Sequence, residues 1–248
     1  MANIGRTWKR VMAVGCTHGY KASLPRLKEV LAFRDRYQPE LRFELGDLVD
    51  TEAFRSGAKG TADEGKDPRP DQQHGLDWLD SYQPTHIAWG NHDIRLLELS
   101  SHPSAIVAYA ASTLWGQLTS KADELKAKTV PYDIGKGWFN VGGVFWGHGY
   151  MYNINAVRDH AEMLGGPVVM AHLHKPEVVP GRTLANSMSY CVGTLSDVDS
   201  MHYARRRRAT LAWGHGAAWG EICESKNRPE SRLYLTTSPA GEPLHFPL

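Results

Sequence analysis

Cysteine is scarce in this chain: Cys16, Cys191 and Cys223 are the three present in 248 residues. So few and so scattered, they form no disulfide framework, which points to a reducing, cytoplasmic setting. Long apolar runs are missing as well. The longest are strand-sized, far below the ~20 residues that span a bilayer, and no N-terminal stretch has the length of a signal peptide. A soluble protein with no membrane partner is expected. Charge of one sign is also lacking, with Lys and Arg at 28 against Asp and Glu at 27. That balance leaves no global field for polyanions, so any such preference must come from a local patch. No internal repeat of fixed period and no interdomain linker interrupts the chain. At 42% hydrophobic residues it can bury one core of ordinary size, and a single domain over residues 1–248 is expected.

What is present is a set of apolar runs that end in polar chemistry. The run 11–15 leads into Cys16, Thr17 and His18, and the run 41–46 leads into Asp47, Leu48, Val49 and Asp50. Residues 87–89 precede Gly90, Asn91, His92 and Asp93; residues 144–147 precede His148; residues 168–171 precede His172, Leu173 and His174. Packing alone calls for none of these side chains at the end of a buried strand. In open α/β sheets the loops beyond the carboxyl ends of strands leave a rigid scaffold in a common direction. Five such ends would therefore build one site.

Between them, Ser23, Leu24 and Pro25 read as a helix start, and Leu27, Val30, Leu31 and Arg34 follow at helical spacing. With strand 41–45 this predicts a βαβ unit and a parallel strand pair. Residues 51–75 are polar and rich in Gly, Asp, Lys and Pro. They read as a surface insertion leaving the rim of the site, either a substrate-side loop or a disordered segment. Helices are predicted over 76–81, 94–99, 104–115, 122–128 and 153–164. A hairpin turning at Gly142 and Gly143 is predicted over 138–146, with further strands over 168–171, 189–192 and 210–213 and an edge strand over 233–236.

Taken in order, the five tails resemble the motifs of the calcineurin-like metallophosphoesterases, D-x-H, G-D-x-x-D, G-N-H-[DE], G-H and G-H-x-H. The resemblance spans about two-thirds of the chain, and its specificity lies in order and context together. It implies an α/β fold, a four-layer α/β/β/α sandwich of two mixed sheets flanked by helices, and an enzyme that hydrolyses phosphoesters with two divalent cations. Carried over motif by motif, one cation would be held by Cys16, His18, Asp47 and His174 and the other by Asp47, Asn91, His148 and His172, with Asp47 bridging. A hydroxide held between them would attack phosphorus. His92 would meet the leaving-group oxygen, Asp93 would hold the His92 imidazole by its other nitrogen, and Asp50 would orient a metal ligand.

Cys16 departs from the family pattern, which has Asp there. A thiolate would keep the charge, lengthen the bond to about 2.3 Å and bias that position toward zinc or iron, whereas manganese, zinc or iron suits the second. Cys16 could instead leave the first cation weak or absent, or be a small buried hydrophobe. The protein-phosphatase branch of the family carries arginines right after its second motif and right before its third. Thr51 and Trp89 stand in those places, so phosphodiesters are expected over monoesters, with a small phosphoester, nucleotide or nucleic acid as substrate. The alternatives are a phosphomonoesterase of the same fold and a non-catalytic metal-binding scaffold. Arg205, Arg206, Arg207 and Arg208 read either as a solvated turn or as a phosphate-binding patch. His215 repeats the Trp-Gly-His-Gly pattern seen at His148, but chain order favours His148 for the single-histidine motif, and glycine content then reads His215 as part of a late hairpin turn.

Overall fold

The computed structural model describes residues 7–182, 187–201, 208–225 and 229–247. The arginine run lies outside the described residues, apart from the backbone of Arg208. No helix among the described residues is long and apolar enough to cross a membrane.

β1 (Trp8–Val14) illustrates how the layers arise. Side chains alternate between the faces of a strand, and here Val11 and Ala13 join one apolar cluster while Met12 and Val14 join another. A strand buried on both faces lies between two layers. β7 (Val168–Met170) does the same, with Val169 in the cluster of Val11, and Val168 and Met170 in a third. Three apolar interiors thus separate four layers.

The first sheet runs in the order β11 (Glu230–Pro239), β10 (Gly214–Cys223), β1, β2 (Leu41–Glu44), β3 (His86–Ala88) and β4 (Lys128–Val130). β1 through β4 are parallel, and β10 and β11 pair antiparallel. The second sheet runs β5 (Trp138–Val141), β6 (Val144–Gly147), β7, β9 (Met188–Val192) and β8 (Pro176–Pro180), with a parallel centre and antiparallel edges. Both sheets are mixed, as the resemblance implies. Helices α1 (Leu24–Tyr37), α2 (Pro68–Tyr82), α3 (Asn91–Leu99) and α4 (Ala105–Glu124) send Phe33, Leu79, Leu96 and Leu118 into the outer cluster of the first sheet. α5 (Ala156–Leu164) covers the second sheet with Val157 and Ala161. Between the sheets, Phe43 stacks on Trp146 with ring centroids 4.5 Å apart. Truncating Phe43 to Ala in that closed interior would cost about 3–5 kcal/mol.

Several elements differ from the sequence reading. The polar stretch expected to reach residue 75 gives way at Pro68 to α2, whose N-terminal Asp67 accepts from Arg69 N at 2.9 Å. The helices expected over 104–115 and 122–128 are one element that stops at Glu124, and Lys128 opens β4 instead. Residues 210–213 are not a strand, since a 3-10 turn covers Arg208–Ala212 and the strand is the glycine-bearing β10. His215 accordingly sits in β10 and not in a hairpin turn. Glycine content suggested a turn, but a Cβ at Gly216 would lie 2.6 Å from Val192 O, so the glycine serves close approach of the two sheets. β8, flanked by Pro176 and Pro180, was not expected either; prolines are tolerated there because it is an edge.

Candidate metal centre

The ligand-bearing tips of both sheets come together, and those after β1, β2 and β7 reverse sharply. Cys16, His18, Asp47, His172 and His174 all have φ between 55° and 67°, the left-handed region. Such residues cost about 1–3 kcal/mol each and persist where the surroundings hold them. The holding contacts are backbone bonds that continue the β1–β2 pairing, Cys16 N to Gly46 O at 2.8 Å, His18 N to Asp47 O at 2.9 Å and Gly19 N to Leu48 O at 2.8 Å. Gly90 closes the third tip onto the second. A Cβ there would collide with the Asp47 carboxylate and amide, so only glycine fits.

The ligand atoms of Cys16, His18, Asp47 and His174 lie within 4.8 Å of one another, and the same holds for Asp47, His148 and His172. Asn91 Oδ1 joins the second group, 2.9 Å from His172 Nδ1 and 3.1 Å from His148 Nε2. The fold therefore brings together all seven residues expected to hold metal, with Asp47 common to both groups.

Hydrogen-bond partners settle which nitrogens face inward. His148 Nδ1 donates to Leu45 O at 2.6 Å, leaving its Nε2 a bare lone pair 3.4 Å from Asp47 Oδ2 and 3.1 Å from His172 Nδ1. His18 Nδ1 donates to Asp50 Oδ1 at 3.0 Å, so its Nε2 faces His174 Nε2 at 2.9 Å. The other nitrogen of His174, Nδ1, is buried with no hydrogen-bond partner among the described residues. Burial lowers the pKa of His18, His148 and His174 and brings His172 down to about 3, which disfavours a second proton on these rings. Burial opposes the charge of Asp47 too, yet His148, His92 and His18 outweigh it and hold the carboxyl low. A carboxylate, the Asn91 amide oxygen and four imidazoles converge, and the inward nitrogens of His18 and His148 carry no proton because the opposite nitrogen of each donates outward. Two cations fit this donor set.

Cys16 Sγ is buried in the first group and accepts from His172 N at 3.3 Å. Burial and then the Asp47 charge push its thiol well up, so an adjacent cation is what would favour the thiolate.

Asp50 lies where expected, on the outer nitrogen of His18, and it also takes the Lys21 ammonium at 2.5 Å. Asp93 does not. His92 Nδ1 sits 2.8 Å from Asp50 O and 3.3 Å from Asp50 Oδ1, so the second tip orients that ring, not Asp93. The Asp93 carboxylate instead accepts from the amides of Gly90, Asp47 and Leu48 at 2.9 Å and Val49 at 3.3 Å. Starting a helix, it serves the open amides of two loops rather than its neighbour. His92 is partly buried; although burial lowers its pKa, Asp47 and Asp50 raise it overall.

Other residues at the site were not singled out from sequence. Arg95, one turn beyond His92, places Nη1 2.7 Å from Thr51 Oγ1 and 3.1 Å from Asp50 O, a neighbour that i, i+3 spacing could have suggested. Asp71 accepts from the amides of Asp50 at 3.0 Å and Thr51 at 2.8 Å, and burial pushes it up to about 7. It was hidden in the stretch read as loop. Tyr132, edge-on to His148, carried no local signal. His215 is buried and structural, its Nδ1 donating to Thr194 O and its Nε2 accepting from Gly241 N, both at 3.1 Å.

Two parallel-centred sheets that meet at a dinuclear donor set define a class of metal-dependent phosphoester hydrolases. The sequence profile of the calcineurin-like phosphoesterase (Metallophos) family matches residues 9–216, and the chain belongs to that family. Comparison with curated proteins returns no match. Among solved structures, the chain is similar to a phosphatase of Mycoplasma pneumoniae, with 12% identity over 94% of each chain and a TM-score of 0.45. It is also similar to the calcineurin-like phosphoesterase YfkN of Bacillus subtilis, with 11% identity over 93% of this chain and 91% of that one and a TM-score of 0.43. A single mutant of Vps29 from Entamoeba histolytica gives 9% identity over 92% and 99% of the two chains, at a TM-score of 0.41. These are distant resemblances without weight for the chemistry.

Proposed function

We propose that this chain is a dinuclear phosphoesterase that prefers phosphodiesters. The observation that carries the reading is the convergence of two buried groups of metal-ligating side chains on both sides of Asp47, with the inward nitrogens of His18 and His148 left as acceptors. Cys16, His18 and His174 would hold one cation and Asn91, His148 and His172 the other, with the Asp47 carboxylate common to both groups. When bound, such a pair supplies a nucleophile at neutral pH and neutralises the phosphoryl oxygens. The chain does the rest. Asp50 fixes the tautomer of His18 and, through its carbonyl, the ring of His92. With Nδ1 engaged, His92 offers Nε2 to the leaving oxygen and gives it a proton as the ester bond breaks.

The preference for diesters is supported by what stands at the two phosphatase arginine positions. Trp89 is buried against Trp115, with ring centroids 5.0 Å apart, and Thr51 is buried with its hydroxyl donating to His92 O. Neither can clamp the second charge of a monoester. A second reading, phosphomonoesterase, draws on Arg95, whose guanidinium reaches the same Thr51 from α3. A hydrolysis screen of metal-loaded protein separates the two. Aryl phosphodiesters should be turned over faster than the matching monoesters by about tenfold or more, the worth of one charged hydrogen bond. Faster monoesters would establish the second reading instead.

A further inference from the structure

The chemistry proposed above leaves two aromatic side chains at its edge unused. Tyr132 lies between β4 and β5, and Tyr150 follows His148 by two residues at the end of β6. The Tyr132 ring is edge-on to His148 at 5.9 Å between centroids, and the Tyr150 ring lies against Tyr132, with centroids 5.7 Å apart and a tilt of 33°. Tyr150 is 47% exposed. Its backbone, in contrast, is fastened. His160, buried on α5, donates Nδ1–H to Ala156 O at 2.6 Å and with Nε2 accepts from the amides of Tyr150 at 2.8 Å and Met151 at 3.2 Å. A ring left open at the rim on a loop held from beneath is placed for a ligand, because an aromatic face of that size is worth more covered than wet.

We propose that Tyr132 and Tyr150 form a stacking subsite for the base of a nucleotide substrate whose phosphate sits at Asp47; the proposal rests on the phosphoesterase reading. Stacking of bases on tyrosine is strong and tolerant of base identity. Of the two rings, Tyr132 is half-buried against His148 and Tyr150 stands open at the rim, so the inner ring is assigned to an aryl group bonded directly to phosphate and the rim ring to a base carried on a sugar.

The test is calorimetric binding to the metal-loaded full chain, comparing adenosine 5′-monophosphate, ribose 5-phosphate and phenyl phosphate. The nucleotide should bind tighter than ribose 5-phosphate by about tenfold. Tyr150→Ala, at an exposed position that the fold tolerates, should bring that ratio close to unity, and Tyr150→Trp should keep it. Phenyl phosphate should weaken in Tyr132→Leu and not in Tyr150→Ala. Equal affinity of nucleotide and sugar phosphate in the unaltered chain, or a ratio indifferent to Tyr150→Ala, overturns the subsite. Equal loss of phenyl phosphate and nucleotide in Tyr150→Ala overturns the choice of a nucleobase. Base-dependent binding without hydrolysis of any phosphoester would instead sink the phosphoesterase reading and leave the subsite standing.

Discussion

Asp93→Asn distinguishes two roles that a carboxylate next to His92 could play. In the structure its two oxygens accept from four amides, three of them at 2.9 Å and that of Val49 at 3.3 Å. Asparagine keeps one acceptor oxygen and turns an NH2 group toward amides that are themselves donors. A buried amide left without a partner costs about 1–3 kcal/mol, so losing two costs about 2–6 kcal/mol. One effect runs the other way: burial and the nearby Asp47 charge already raise the Asp93 carboxyl, and removing a charge there relieves that repulsion. The expected loss is therefore about 2–4 kcal/mol, a large part of the roughly 5–15 kcal/mol that stabilises a domain. Urea unfolding reads it as a lower midpoint at unchanged slope. Because the Asp47 amide is among those released, metal-loaded protein should lose more than metal-free protein. Stability within about 0.5 kcal/mol of the unaltered chain, together with reduced turnover, would refute the argument and return Asp93 to His92.

His92→Ala should lower turnover by about 100-fold to 10,000-fold, the usual range for a lost general acid, while metal content by elemental analysis stays the same. Unchanged turnover would remove His92 from the reaction. Cys16→Asp, purified without added metal, should shift the bound metal away from zinc or iron toward manganese by about tenfold or more, since oxygen replaces sulfur in that shell; identical metal profiles would mean that Cys16 is not a ligand. His86, stacked on Phe43 and far from this chemistry, is held down to about 4 from an ordinary 6.5 by burial and then by Lys128. Its neutral form favours the fold, so its contribution is complete above pH 6.5 and is lost as pH falls through 6.5 toward 4. At about 1.4 kcal/mol per pKa unit this is about 3.5 kcal/mol at most, and His86→Leu should flatten that acid limb of a stability profile.

The strand tips were legible because each motif is local: an apolar run of period two stops, and a ligating residue follows within a few positions. Cys16, His18, Asp47, Asn91, His148, His172 and His174 could be nominated from order alone. Other features misled because a local signal had a non-local cause. Glycines in β10 looked like a turn, although Gly216 is small because Val192 of the other sheet presses on it. Proline at both ends of β8 fits a strand only because β8 lies at an edge, a position that the local sequence does not announce. Asp93 was paired with His92 as its sequence neighbour, while its hydrogen bonds run to residues 44 to 46 positions earlier and to Gly90.

By itself the sequence determined which donors the chain carries, in what order, and on which kind of element each one ends, since periodicity and motif spacing are properties of the chain alone. Tertiary structure alone decided that Asp50 holds both His18 and His92, that His18 and His148 turn their Nε2 inward, and that Tyr132 stands beside His148 with Tyr150 against it. Those outcomes depend on angstrom-scale distances between residues far apart in the chain, and such distances exist only once Phe43, Trp146 and their neighbours have packed one sheet against the other.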